Sequence, residues 1–176
     1  MFDREMVLKE FDQEMAVTRE ALSRVPADRL DWRPHEESMT LGELATHLAI
    51  LPSWVGPVLT DKELNLAGEN EAASSRETPG PRSILERFNE NVEEARGRLE
   101  KTKTGNLEDP WTLRSGDQVF FTLPRWTVLR RSVLNHIIHH RAQLGVYLRL
   151  LDLEVPGSYG PTAHDAQPTT PAPPSQ

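Results

Sequence analysis

Apolar residues recur at intervals of three and four positions along four stretches of this chain, which is the spacing of one face of an α-helix. The first stretch covers about residues 3–24 and ends before Pro26. The second begins after Thr40, which forms a capping-box pattern with Glu43. It continues to Val58, although two prolines within it should kink or shorten the helix.

The third and fourth stretches complete a helical pattern that carries almost no strand signal. Ser83 is expected to cap the third helix, which should stop near Gly105. Pro124 is expected to open the fourth and longest helix, which continues to about Leu153. Four helices that each carry an apolar stripe can bury those stripes against one another, so the predicted fold is all-α, a four-helix bundle.

The connections between the predicted helices include two long ones. Residues 60–81 predict a polar surface loop with one short helical turn near Leu64. Residues 107–123 predict a loop with a short extended piece, too short to indicate a sheet. We therefore expect one bundle domain over residues 1–161. Residues 162–176 are rich in Pro and Thr, lack apolar side chains to bury, and are expected to form a disordered tail.

Composition narrows the class of function. The 176 residues carry a net charge of −7, which argues against nucleic acid or an anionic membrane as a partner. No apolar run is long enough to span a bilayer, and the charged first residues do not resemble a signal peptide, so we expect a cytoplasmic protein. Cysteine is absent, which removes disulfides, cysteine–zinc sites and any thiol nucleophile of the chain itself.

His136 and His140 lie four residues apart in the fourth predicted helix. At 100° per residue the two imidazoles are about 40° apart, on one face and in the middle of the apolar stripe. Each neutral ring has one donor and one acceptor, and leaving either unpaired when buried costs about 1–3 kcal/mol. A shared divalent metal ion would pair both rings. Alternatively, each ring hydrogen-bonds a polar group on a neighbouring helix, and the spacing alone does not decide.

His47 is predicted to face inward from the second helix. Taken alone, such a histidine is more often a core residue than a ligand. If the second and fourth helices are neighbours, however, three ring nitrogens converge on one point and leave a position open to water or substrate. Three other residues are candidates for the pocket or for contact with the ligands, although packing or solvation explains them more simply: His139, Gln143 and Tyr147.

Five stretches, taken together and in order, resemble the DinB/YfiT-like family of metal-dependent proteins. They are Trp32-Arg33-Pro34, residues 40–48, residues 136–144, Tyr147-Leu148-Arg149 and residues 155–161. The resemblance covers about residues 2–161. It departs from the family at Ala142, where members usually carry glycine. Alanine favours the helix and leaves the histidines unchanged, so this departure puts little in doubt.

The resemblance implies a bundle of up-down-down-up topology that is often a homodimer. It also implies a divalent metal ion, usually zinc or nickel, held by three histidines that match His47, His136 and His140. Characterised relatives include transferases and isomerases that use low-molecular-weight thiols such as bacillithiol, mycothiol or glutathione. The expected function is therefore a metal-dependent transferase that acts with an external thiol on a small electrophilic substrate.

Two other functions stay open. A metal-activated water would make the protein a hydrolase, but no HExxH-like glutamate lies beside the histidine pair, and neither Glu14 nor Glu43 is singled out as a base. The protein could instead be a non-catalytic, stress-related bundle that binds a metal or small ligand, or one whose histidines are structural. The residues identify no general acid or base, and no particular substrate.

Overall fold

Helices form most of the part of the chain that the structure describes, and three short strands complete it. The computed structural model describes residues 4–67 and 80–163. In chain order its elements are α1 (Arg4–Ser23), α2 (Leu41–Ile50), α3 (Val55–Thr60), β1 (Glu63–Asn65), α4 (Pro81–Lys101), β2 (Pro110–Ser115), β3 (Gln118–Pro124), α5 (Arg125–Val128) and α6 (Asn135–Leu150). A 3₁₀ turn, Leu51–Trp54, connects α2 to α3, and a π-helical stretch, Leu129–Leu134, connects α5 to α6.

The four long helices pack as the apolar stripes predicted. Both α1 and α2 pack against α4 and α6. Each helix contributes large side chains to one shared core, and four of the most deeply buried are Phe11, Leu48, Phe88 and Leu144. Apolar burial is therefore what sets α2 beside α6.

The capping box predicted at the start of α2 is confirmed. Glu43 donates its backbone N–H to the Thr40 hydroxyl at 3.1 Å, and the Thr40 backbone N–H donates to the Glu43 carboxylate at 2.7 Å. Two of the first N–H groups of the helix are thereby satisfied. The start of α2 is fixed seven residues before His47.

The predicted cap of the third helix is wrong by one turn. That helix, α4, begins at Pro81 with Gly80 as its N-cap, so Ser83 lies inside its first turn. Proline suits the first helical position because its φ is already helical and its missing N–H would have had no partner there. Of the two prolines expected to kink or shorten the second helix, Pro52 lies in the 3₁₀ turn at which α2 ends, whereas Pro57 lies inside α3.

The all-α prediction is wrong, because a three-stranded mixed sheet completes the fold. The strand order is β1-β2-β3, with β1 parallel to β2 and β2 antiparallel to β3. The helical turn expected near Leu64 is instead β1, where Leu64 is paired with Leu113. The loop expected over residues 107–123 is largely the β2–β3 hairpin, which turns at Gly116 with a φ of 57°.

Trp111 attaches this sheet to the helices. Its side chain is 0% exposed, and its indole N–H donates to the carbonyl of Pro57 in α3 at 3.2 Å. The sheet is stabilised by packing against the helical core as well as by its own ladder. A brief apolar run in the sequence could therefore become a hairpin that local pattern alone did not predict.

After α6 the chain folds back onto the helices through a Pro- and Gly-rich segment. Asp152 adopts a positive φ of 57° at the turn, and the Tyr159 hydroxyl reaches the Glu14 carboxylate on α1 at 2.9 Å. The polar loop predicted over residues 60–81 includes residues 68–79, which lie outside the described residues. Most of the predicted tail, residues 164–176, also lies outside them. Within the described residues, none of the helices combines the length and apolar character that a bilayer crossing requires.

We predict that Trp111→Ala lowers the free energy of unfolding by about 3–5 kcal/mol, because it removes a buried aromatic side chain and leaves a cavity. Phe120→Ala is the matched control, since Phe120 lies on β3 but is 50% exposed; it should change the free energy by about 0.5 kcal/mol or less. Denaturant titration measures both. Equal effects of the two substitutions would show that the sheet is not anchored through Trp111.

Candidate metal site

Three imidazole rings meet where α6 faces the second half of α2. One ring nitrogen from each of His47, His136 and His140 lies within 4.8 Å of the other two, and the Nε2 atoms of His47 and His136 are 3.3 Å apart. The ring centroids are separated by 4.6 to 5.0 Å. Within the described residues no other group of three His, Asp or Glu side chains converges in this way. The structure thus brings together the three histidines that the sequence singled out.

A π-helical stretch immediately precedes the histidine pair. The backbone N–H of Asn135 donates to the carbonyl of Arg130, a spacing of five residues instead of four. A π-helical turn contains one residue more than an α-helical turn. The positions of side chains around the helix axis, extrapolated at 100° per residue from before this turn, therefore do not hold after it. The fully buried face of α6 carries Ile137 and Leu144, and the histidines are partly exposed at its edge, not in the middle of the stripe as predicted.

The outer nitrogens of two rings have partners of their own. His140 Nδ1 lies 2.7 Å from the Gln143 amide oxygen, which can only accept, so Nδ1 carries the proton and Nε2 keeps its lone pair. His136 hydrogen-bonds the backbone of Ser132, one turn earlier in the helical segment. Partners of this kind fix the tautomer and orientation of a histidine ring.

Burial keeps the three rings neutral. It lowers the pKa of His47 from 6.5 to about 4, and repulsion from His140 and His136 adds to the shift. Burial is also the largest cause of the lowered pKa values of His136 and His140. At neutral pH each ring therefore has a lone pair to offer, which is the protonation state that a metal ion requires.

Two of the other predicted pocket residues, His139 and Tyr147, lie outside the group of three converging rings. His139 is exposed, with its ring centroid 4.9 Å from that of His140. The Tyr147 hydroxyl donates to the carbonyl of Met39 at 3.2 Å, and its ring meets Trp32 edge-on at 5.6 Å. Tyr147 thus attaches the connector before α2 to α6. His35, in the same connector, is solvent-exposed.

A buried ion pair holds the opposite side of α6. The Arg141 guanidinium lies 2.7 Å from the Glu14 carboxylate, and each residue is 4% exposed. Arg141 also donates to the Tyr159 hydroxyl at 2.7 Å, and that hydroxyl donates to Glu14. Sequence reasoning missed the part played by Tyr159. The signal was present in the resemblance of residues 155–161, but spacing could not show which residue they reach.

Comparison with known proteins identifies the fold. A sequence model of the DinB family matches residues 1–174. A DinB-like protein from Bacillus subtilis is similar with a TM-score of 0.66 and 19% identity, over 87% of this chain and 96% of that one. A DinB-like protein from Bacillus cereus has a TM-score of 0.66 and 20% identity, over 86% and 95%. No curated protein matches the sequence.

A mycothiol-dependent maleylpyruvate isomerase also shares the fold. Its TM-score is 0.59 at 18% identity, and the similarity covers 82% of this chain but 61% of the isomerase. This chain therefore corresponds to about three fifths of that protein's length. At such identities the likeness establishes a common architecture.

We predict that the His47 ring in metal-free protein stays neutral until the pH falls to about 4. An unfolded chain protonates the same ring near 6.5, so the unfolded state binds more protons between these values. The free energy of unfolding should then fall as the pH drops from 6.5 toward 4. NMR titration of the ring, with denaturant unfolding across this window, measures both effects.

His47→Gln is the control for this pH dependence, because it removes the titrating ring. The variant should lose less stability than the parent chain as the pH is lowered through the window. A His47 ring that titrates near 6.5, together with the same pH slope in the parent and the variant, would contradict the prediction.

Proposed function

The chain belongs to the DinB family, and from this premise we propose that it is a metal-dependent transferase that uses an external low-molecular-weight thiol. The observation that carries the proposal is the convergence of His47, His136 and His140 from two helices. We further propose that these histidines are the metal ligands and that the ion is zinc or nickel. The homodimer and the cytoplasmic location expected from the sequence stay predictions.

The donor set fits a divalent metal ion. Imidazole nitrogen is a usual ligand for zinc and nickel, and three protein ligands leave a fourth position open. Two nitrogens that bind one tetrahedral zinc at about 2.0–2.1 Å are separated by about 3.3 Å. The Nε2 atoms of His47 and His136 are 3.3 Å apart. A direct hydrogen bond between two rings would explain that distance too, but it gives no role to the third ring.

The chain's own residues prepare the rings for binding. Burial keeps the His47 ring unprotonated, and Gln143 holds the proton of His140 on the outer nitrogen. A divalent ion at this point would supply Lewis-acid chemistry, lowering the pKa of a thiol or water beside it. Because the chain has no cysteine, a reacting thiol must come from another molecule. The shared fold with a mycothiol-dependent isomerase supports a thiol as the nucleophile.

Two carboxylates argue against the alternative of a hydrolase, which would need a general base for water. Glu14, which the sequence offered as a possible general base, is 4% exposed, pairs with Arg141 and accepts a hydrogen bond from Tyr159. Glu43 accepts a hydrogen bond from the Thr40 backbone in the capping box. Both are committed to holding the fold, so neither is free to accept a proton from water. A non-catalytic metal-binding bundle is the alternative that the following experiments separate.

We predict that protein purified without a histidine tag contains about one zinc or nickel ion per chain. His47→Gln should remove it, and Gln143→Ala should weaken the affinity about tenfold by releasing the His140 ring. His35→Gln is the control, since His35 is exposed in a loop. Elemental analysis and competition with a chelator measure these changes. A content below about half an ion per chain, unchanged in His47→Gln, would contradict a three-histidine metal site.

We predict that the metal-loaded protein accelerates the reaction of monochlorobimane with at least one cellular thiol. Bacillithiol, mycothiol and glutathione form the panel, and fluorescence of the conjugate gives the rate. His140→Ala should reduce that rate to the background, because one of the three rings is lost. If no thiol reacts with monochlorobimane faster with the metal-loaded protein than with His140→Ala, the transferase function is contradicted and the non-catalytic bundle is favoured.

A further inference from the structure

An open cavity of about 340 Å³ lies between α6 and the segment that follows it, and none of the three clustered histidines lines it. Its apolar surface comes from α1, α6 and the returning segment, and includes Ala21, Leu148 and Val155. The volume falls in the lower part of the range of small-molecule sites, about 300–1,000 Å³. The cavity is large enough for a small molecule and separate from the histidine cluster.

The returning segment is fixed in place, so the cavity is formed before any ligand arrives. Val155 packs against α6 at Gly145, where a Cβ would lie 3.4 Å from the Val155 side chain, an ordinary van der Waals contact. The Thr162 hydroxyl donates to the Val155 carbonyl at 3.0 Å and closes the segment into a loop. Midway along the loop, the Tyr159 hydroxyl bonds to Glu14. A preformed pocket loses little free energy to ordering when it binds.

The charged side chains that line the cavity are both arginines. Its lining residues include two arginines, Arg141 and Arg149, and no aspartate or glutamate, although the chain as a whole carries a net charge of −7. The charge of Arg141 is balanced by Glu14. Arg149 lines the cavity and is exposed, and no carboxylate pairs with it in the part of the chain that the structure describes. A guanidinium in this position suits a carboxylate ligand.

We propose that this cavity binds a small amphipathic carboxylate. The apolar chain of the ligand packs on Ala21, Leu148 and Val155, and its carboxylate pairs with Arg149. The hydroxyl of Ser158, which also lines the cavity, is a further hydrogen-bonding group for the head of the ligand. The proposal does not depend on the metal site, because the two sites share no residue.

Calorimetric titration of the full metal-loaded chain with octanoate tests this proposal, and octan-1-ol serves as the uncharged probe of equal length. We expect octanoate to bind and octan-1-ol to bind about tenfold more weakly, since a charged pair is lost. Amide NMR shifts should be confined to the cavity, including Gly145 and Gly160. Arg149→Gln should weaken octanoate about tenfold, whereas Arg82→Gln, an exposed arginine on α4, should leave its affinity unchanged.

A second pair of variants tests the shape of the cavity. Ala142 is exposed and lines it, so Ala142→Phe should fill the space and abolish binding. Ala16→Phe places the same side chain at an exposed position on α1 and should have no effect. Elemental analysis of all four variants should show unchanged metal content, which separates a lost cavity from a lost fold.

Three results would overturn the proposal. The first is equal affinity for octanoate and octan-1-ol, or equal binding by Arg149→Gln and Arg82→Gln. The second is loss of octanoate binding in His47→Gln, which would place the carboxylate at the histidines. The third is an absence of octanoate binding together with a change in self-association, measured by sedimentation, in Ala142→Phe. That result would make this face an interface between two copies.

Discussion

The contact between α2 and α6 is the constraint on which the candidate site depends. Neither helix could form the site alone, since α6 carries two of the rings and α2 the third. Their separation is set by core side chains such as Leu48 and Leu144, both 0% exposed. Close packing in such a core tolerates little adjustment, so the rings are held near one another before anything binds. That arrangement is unfavourable for three protonated rings and favourable for three neutral ones.

The other side of α6 is held by a different interaction. Arg141 and Glu14 form a buried ion pair between α6 and α1, and removal of one partner of such a pair typically costs about 3–5 kcal/mol. Tyr159 brings the returning segment into the same network. The helix that presents His136 and His140 is thus fixed by apolar packing toward α2 and by charge toward α1. Arg141 and Tyr159, which belong to the network with Glu14, also line the cavity that Arg149 lines.

The sequence allowed most of the helical framework and the three-histidine cluster to be predicted. The apolar spacing that defined the long helices is local, and so is the capping box of Thr40 and Glu43. The histidine cluster needed one further assumption, that the second and fourth helices are neighbours. Resemblance to the DinB family supplied the same three residues independently, and the family assignment is confirmed.

The remaining features depend on contacts that no local pattern contains. β1 has three residues, and its partner β2 begins more than forty positions later, with the pair Leu64 and Leu113 in register. The π-helical stretch before Asn135 has no distinctive spacing, and the histidines after it lie at the edge of the buried face and not in its middle. Propensity and periodicity describe neighbouring residues only, so they did not predict the conformation of either segment.

X-ray absorption at the metal edge tests the central claim most directly, because it reports the atoms around the ion independently of the reaction. For the parent chain we predict a shell of three imidazole nitrogens at about 2.0–2.1 Å, and for His47→Gln a shell that has lost one of them. A spectrum without imidazole scattering, or one that His47→Gln leaves unchanged, would contradict a metal ion held between α2 and α6.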